Sequence, residues 1–137
     1  MPFERILAAV DGSEGSSRAF AKAVDLARLT GATLIALAVE GPLPAYAATV
    51  GEVKREKDSF FRGLAAKAKR EAEAAGVEVE VDIRAGHAAD LIVRYARERG
   101  ADLVVVGHKG HFLEDYLLGS TADRVAHHAH CPVMIVK

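Results

Sequence analysis

The chain has 137 residues, of which half are apolar and 27% are charged, as in ordinary globular domains, so disordered and fibrous classes are excluded. Its 18 basic and 19 acidic residues give a formal net charge of −1, which argues against nucleic acid or anionic lipid as partner. The single cysteine excludes an internal disulfide, and no apolar run reaches the length of about 18 residues that a membrane span needs. We therefore expect a single domain over residues 1–137, located in the cytoplasm.

The first part of the chain alternates buried strands with an amphipathic helix. Residues 6–10 form a continuous apolar run that predicts a strand buried on both faces, and residues 33–39 predict a second one. Between them, a helix is predicted that Ser13, Ser16 and Ser17 can cap and that ends at Gly31. Its apolar positions recur at helical spacing: Phe20, Ala23, Val24 and Ala27.

The next part predicts a long helix and a strand at the sheet edge. Residues 51–76 are rich in Ala, Lys, Arg and Glu, as exposed helices are. The apolar stripe of this helix is predicted to contain Phe60, Phe61, Leu64, Ala68, Ala72 and Ala75. From Val77 to Ile83 apolar and charged residues alternate, which indicates a strand with one solvated face.

The last part repeats the alternation twice. A helix is predicted around residues 88–96 and a buried, central strand at residues 103–106; another helix starts at Gly119, and a final strand covers residues 133–136. The buried face of the last helix is predicted to hold Ala122, Val125, Ala126 and Ala129. The whole pattern predicts an α/β fold with a doubly wound, mainly parallel five-stranded sheet and helices on both faces. In such folds ligands bind beyond the carboxyl ends of the strands.

Two groups of glycines suggest a phosphate site. Gly107-His108-Lys109-Gly110 directly follows the central strand, and Gly119-Ser120-Thr121 opens the last helix. Glycines let the backbone approach an anion, a helix start offers unpaired amides, and the two hydroxyls can add hydrogen bonds. Turns and caps need the same residues, however. The chain has neither a Walker A loop nor a Gly-x-Gly-x-x-Gly sequence after the first strand, so two familiar nucleotide motifs are excluded.

Several segments together resemble the universal stress protein family. They are the end of the first strand at residues 10–14, the Gly86 turn, residues 101–107, and the tail at residues 131–136. The resemblance covers essentially the whole chain and implies five strands in the order 3-2-1-4-5 with four helices. Many members of the family bind ATP at the ends of the first, second and fourth strands.

The resemblance also implies roles for individual residues. Phosphate and ribose contacts fall on Gly107, Gly110, Gly119 and Ser120, although eight residues separate Gly110 from Gly119 where the family usually has nine. Asp11, preceded by Ala9 and Val10, matches the adenine side of the family site, and Ala38 matches a backbone contact at the second strand. A carboxylate next to phosphates would be repulsive, so we assign Asp11 to the base or sugar.

Other polar residues near these segments allow two interpretations each. His108, Lys109 and His111 either screen triphosphate charge or are exposed loop residues, and Lys109 is the better candidate for screening. Asp11 has the alternative role of shaping the turn before the first helix. The group His127, His128, His130 and Cys131 resembles a metal site, but neighbours on a helix point in different directions, so we expect structural or solvent-exposed roles.

Three functions follow from these interpretations. The first is a regulatory or stress-response module that binds ATP, with Mg²⁺ held by the phosphates and with little hydrolysis, because no general base or arginine finger is evident. The alternatives are a slow ATPase that a partner activates and a structural module that binds no nucleotide. A phosphorelay receiver is disfavoured, because only Asp11 ends an early strand in the required way. The apolar last strand predicts a homodimer, since a second copy would cover its edge.

Overall fold

A computed structural model describes residues 3–41, 51–108 and 118–137 of the chain. Strands and helices alternate along it, as the apolar periodicity predicts. The elements are β1 (Arg5–Val10), α1 (Glu14–Thr30), β2 (Thr33–Glu40), α2 (Gly51–Ala74), β3 (Val79–Ala85), α3 (Ala88–Glu98), β4 (Leu103–Gly107), α4 (Ser120–His128) and β5 (Val133–Val136).

The five strands form one sheet in the order β3-β2-β1-β4-β5, and every pair is parallel. The predicted strand order is therefore confirmed, and so is the edge position of β3. On the central strand β1, Leu7 pairs with Ile35 of β2 and with Val104 of β4. The strand order reverses between β1 and β4, and in doubly wound sheets such a point opens a cleft between neighbouring loops.

Each face of the sheet is covered by two helices and has its own core. Alternate residues of a strand point to opposite faces, so Ala36 and Ala38 of β2 pack under α1 and α2, whereas Leu37 and Val39 pack under α3 and α4. Small residues on the first face leave room for Phe20 of α1, which is fully buried. These two cores fix the helix starts at the carboxyl edge of the sheet.

Two predicted core residues are exposed. Phe60 is 53% exposed, because adjacent residues on a helix lie about 100° apart and Phe61 takes the buried position. The Phe60 ring instead covers Gly12, whose φ of +88° suits glycine and where a Cβ would lie 2.6 Å from the ring. Ala126 of α4 is also exposed, since the narrow buried face of this short helix holds Ala122 and Val125.

A polar cluster fastens β3 to α3. Tyr95 donates a hydrogen bond to Asp82 at 3.2 Å, and the guanidinium groups of Arg84 and Arg99 lie 5.2 and 5.5 Å from the centre of its ring. Burial opposes ionisation of Asp82, but hydrogen bonds from Arg84, the Ile83 amide and Tyr95 outweigh it and lower its pKa. Burial, together with the charge of Asp82, raises the pKa of Tyr95.

Candidate functional site

A cleft of about 290 Å³ opens at the carboxyl ends of β1, β2 and β4, next to the point where the strand order reverses. Its strand residues are Ala9, Val10, Val39, Val106 and Gly107, and Asp11 directly follows β1. Its remaining described residues come from helix starts and the turns before them: Ser13, Ser16, Ala88, Ile92, Gly119, Ser120, Thr121 and Ala122. The cleft therefore has an apolar wall of strand and α3 residues and a polar rim of helix starts.

The start of α1 is closed by its own side chains. Ser13 is the N-cap, and its hydroxyl accepts a hydrogen bond from the Ser16 amide at 3.2 Å. Asp11 accepts one from the Ser13 amide at 2.8 Å through Oδ1, and the Asp11 amide donates to the Ser16 hydroxyl at 3.2 Å. Both serines are buried, and the polar groups that they bring to the cleft are already hydrogen-bonded within the start of α1.

Asp11 has a second oxygen that these bonds do not use. Within the described part of the chain, Oδ2 of Asp11 accepts no hydrogen bond, whereas Oδ1 is held by Ser13. The turn thus orients a carboxylate at the cleft rim with one oxygen available. Asp11 therefore shapes the turn, and it also lines the cleft, while its contact with a base or sugar stays a prediction.

Gly107 holds β4 against the first turn of α1. A Cβ at this position would lie 2.8 Å from the carbonyl carbon of Gly15 and 3.1 Å from the Ser16 nitrogen, both of which are backbone atoms. No flexible side chain can move aside to make room. The glycine is therefore needed for close packing at the cleft floor, in addition to any contact with a ligand.

The start of α4 is open. Its N-cap is Gly119, which offers no side chain to the first turn. The Gly119 amide donates to the carbonyl of His108 at 2.8 Å, but the amides of Ser120, Thr121 and Ala122 have no partner among the described residues. These three amides lie at the positive end of the helix dipole and on the cleft rim, where they can bind an anion.

The structure brings together seven of the sequence-predicted site residues at one cleft, and they are Ala9, Val10, Asp11, Gly107, Gly119, Ser120 and Thr121. Ala38 lies in the core under α1 and α2, and its neighbour Val39 lines the cleft instead. His108 follows β4, where its amide donates to the Val136 carbonyl, and its side chain is not part of the lining. Lys109, Gly110 and His111 lie outside the described residues.

The histidines and cysteine at the end of α4 do not form a cluster in the described structure. His127 contacts the backbone and side chain of Asp123 one turn earlier, through Nδ1 at 2.8 and 3.4 Å. Cys131 is half-buried, and burial and the charge of Asp102 raise the pKa of its thiol. In the described ranges, no three His, Cys, Asp or Glu side chains come close enough to share a metal ion.

Fold and cleft together define a doubly wound α/β protein with a cleft at the switch point of its sheet. Residues 2–137 match the model of the universal stress protein family, and the chain belongs to that family. It is 34% identical to universal stress protein MJ0531 of Methanocaldococcus jannaschii, over 98% of this chain and 82% of the relative.

Solved structures agree with this assignment. Universal stress protein UspA from Lactobacillus plantarum superposes with a TM-score of 0.89 at 25% identity, and the match covers 100% of this chain and 99% of the other. A universal stress protein in complex with cAMP superposes with a TM-score of 0.79 at 28% identity, over 100% and 99% of the two chains. Among the described helices, none is long and apolar enough to cross a lipid bilayer.

Proposed function

We propose that the cleft binds an adenine nucleotide, with ATP as the ligand and its phosphates at the first turn of α4. The observation that carries this proposal is that the amides of Ser120, Thr121 and Ala122, on the cleft rim, have no partner in residues 3–41, 51–108 and 118–137. Amides at a helix start are neutral donors that bind phosphate oxygens without a counter-charge. A structural neighbour of this chain is in complex with cAMP, which has the same base and sugar as ATP.

The apolar wall suits the base. Ala9, Val39, Ile92 and Val106 form a surface against which a flat, aromatic ring can pack, while the free oxygen of Asp11 accepts hydrogen bonds from a base or sugar. The volume of about 290 Å³ lies near the lower end for ligand clefts. Mg²⁺ would be held by the phosphates, because Asp11 is the only acidic residue of the described lining and lies on the sugar side in this arrangement.

The residues of the cleft favour binding over catalysis. Hydrolysis needs a group that positions or deprotonates water and a cation that stabilises the transferred phosphoryl group. Apart from Asp11, the described lining has no ionisable side chain. We therefore propose a cytoplasmic regulatory module in which occupancy by ATP changes stability or partner choice, with hydrolysis slow or absent.

Removing one amide tests the phosphate contact. Ser120→Pro deletes the amide at the first position of α4, where proline is well accepted and where Gly119 already has the extended backbone that precedes proline. Ser120→Ala deletes only the hydroxyl and is the matched control. By calorimetry with ATP, we expect Ser120→Pro to bind about tenfold more weakly than Ser120→Ala, because a hydrogen bond to a charged group is lost.

Two results would contradict the proposal. One is equal affinity of the two variants, and the other is a wild-type melting temperature that ATP does not change, since saturation at 100 times the Kd adds about 2.7 kcal/mol. Phosphate release is measured in parallel. Release that is present in wild type and lost in Ser120→Pro would support the slow ATPase instead.

The edge strand β5 is the proposed homodimer contact. The carbonyl of Pro132 accepts a hydrogen bond from Val104 of β4, and that of Val136 accepts one from His108, just after β4. The backbone groups of Val133 and Ile135 therefore point to the open edge. Ile135→Pro therefore removes an edge donor without breaking the bonds to β4. We expect light scattering to report a dimer for wild type and for Ile135→Ala, but a monomer for Ile135→Pro; a monomeric wild type would contradict the contact.

A further inference from the structure

A second groove lies between α3 and α4, and none of the residues that line it lines the cleft. Its volume is about 360 Å³, and Ala89 and Val93 supply its apolar part. Charged side chains from both helices surround it: Asp90, Arg94, Arg97, Arg124 and His128. On α3 these residues recur at intervals of four and three, and on α4 at an interval of four, so each helix presents one stripe to the groove.

Most of the positive charge of this groove is not neutralised. Arg124 contacts Asp90 at 3.2 Å, which ties the two helices together. Neither Arg94 nor Arg97 has a carboxylate within 4 Å in the portion of the chain that the structure describes, and both are exposed. Three arginines face one carboxylate here, although the chain as a whole has a net charge of −1.

We propose that this groove binds an acidic, amphipathic segment of a partner protein. Arginines at the rim are placed to pair with carboxylates, because the guanidinium group matches their geometry, and the apolar floor takes aliphatic side chains between them. Nucleic acid fits less well. Three cations beside a carboxylate form too small a basic surface for a polyanion, and the rest of the chain offers no net positive field.

The groove and the cleft share two helices. On α3, Ala88 and Ile92 line the cleft and the adjacent Ala89 and Asp90 line the groove; on α4, residues 119–122 border the cleft and Arg124 and His128 the groove. A partner that shifts these helices relative to each other would change the nucleotide cleft, and by linkage the nucleotide would change partner affinity equally. Binding of the acidic segment itself does not depend on the proposed nucleotide site.

The test uses the full chain without nucleotide and a fluorescein-labelled peptide that has glutamates on one helical face and leucines on the other. Fluorescence anisotropy should show binding that weakens as salt is raised, since the contacts are exposed ion pairs. Arg94→Glu/Arg97→Glu should bind about tenfold more weakly. The matched control, Arg62→Glu/Arg70→Glu on the exposed side of α2, has the same net charge and should bind as wild type does.

Several outcomes would overturn the proposal. Equal loss in the two double variants would mean a general charge effect, and unchanged binding of a peptide with glutamine in place of glutamate would exclude carboxylate recognition. Displacement of the peptide by a lower concentration of a mixed-sequence oligonucleotide would indicate a nucleic-acid surface. A change of oligomeric mass in Arg94→Glu/Arg97→Glu, with its melting temperature unchanged, would indicate that a second copy of the chain occupies the groove.

Discussion

The starts of α1 and α4 line the same cleft, but side chains cap the first turn of α1 and no side chain caps that of α4. At α1, Ser13 and Asp11 use their side chains to bind amides of the first turn, and the serines are buried. At α4, Gly119 has no side chain, and three amides remain without partners in the described structure. The start of α1 is closed by hydrogen bonds within the protein, whereas the start of α4 is the one at which we propose that phosphate binds.

Under the proposed function, the difference avoids competition between a side-chain cap and the phosphates for the same amides. A side-chain cap contributes about 1 kcal/mol to a helix, but it occupies the donors that a phosphate would use. α1 packs against β4 through Gly107 and must be held firmly, whereas α4 borders the cleft with its first turn exposed at Ser120. A glycine cap gives up little helix stability and leaves the donors available.

The largest expected effect comes from breaking the packing of α1. In Gly107→Ala the new Cβ would contact the backbone of Gly15 at 2.8 Å, so α1 or β4 must move, at a cost of about 1–3 kcal/mol. A lower melting temperature and denaturation midpoint would measure this. Gly63→Ala, in the interior of α2, is the control: nothing lies within 4 Å of its Cβ, and it should be neutral or slightly stabilising. Equal stability of Gly107→Ala and wild type would refute the packing role.

The second largest effect is expected from giving α4 a side-chain cap like the one that α1 has. Gly119→Asp supplies a capping carboxylate that competes for the free amides and repels phosphate, so we expect more than about tenfold weaker binding of ATP by calorimetry. Helix stability should rise by only a few tenths of a kcal/mol. Gly119→Asn caps without charge and should lose less affinity. If both variants bind ATP as wild type does, the phosphates do not lie at this helix start.

The sequence predicted the elements well, because each follows from local periodicity. It erred at Phe60 and Ala126, where the choice between adjacent faces of a helix depends on neighbours that local spacing does not specify. For the cleft, Gly107 and Gly119 indicated two of its sides, the end of β4 and the start of α4. Which amides at the start of α4 have partners among the described residues could not be predicted, since the Gly119 amide donates to the carbonyl of His108, which is distant in sequence.

Other residues of the cleft had a weaker signal in the sequence. Val39 follows Ala38, and the period of two along β2 places these residues on opposite faces of the sheet, so either could have been assigned to the cleft before the helices were placed. Ser13 and Ser16 were recognisable as caps but not as cleft residues. Ile92 belongs to a predicted core face, and only the packing of α3 brings it to the cleft wall.

The smallest effect is expected from removing the side-chain cap of α1. Ser13→Ala removes the hydroxyl that binds the Ser16 amide, and because this site is buried the unfolding free energy should fall by about 1 kcal/mol in chemical denaturation. Ser17→Ala is the control, since its side chain is exposed and should change stability by less than about 0.5 kcal/mol. The affinity for ATP should change little in either variant, because the phosphates are assigned to α4. A loss of ATP affinity in Ser13→Ala as large as in Gly119→Asp would mean that the two helix starts share the ligand, and the division of roles between them would then be wrong.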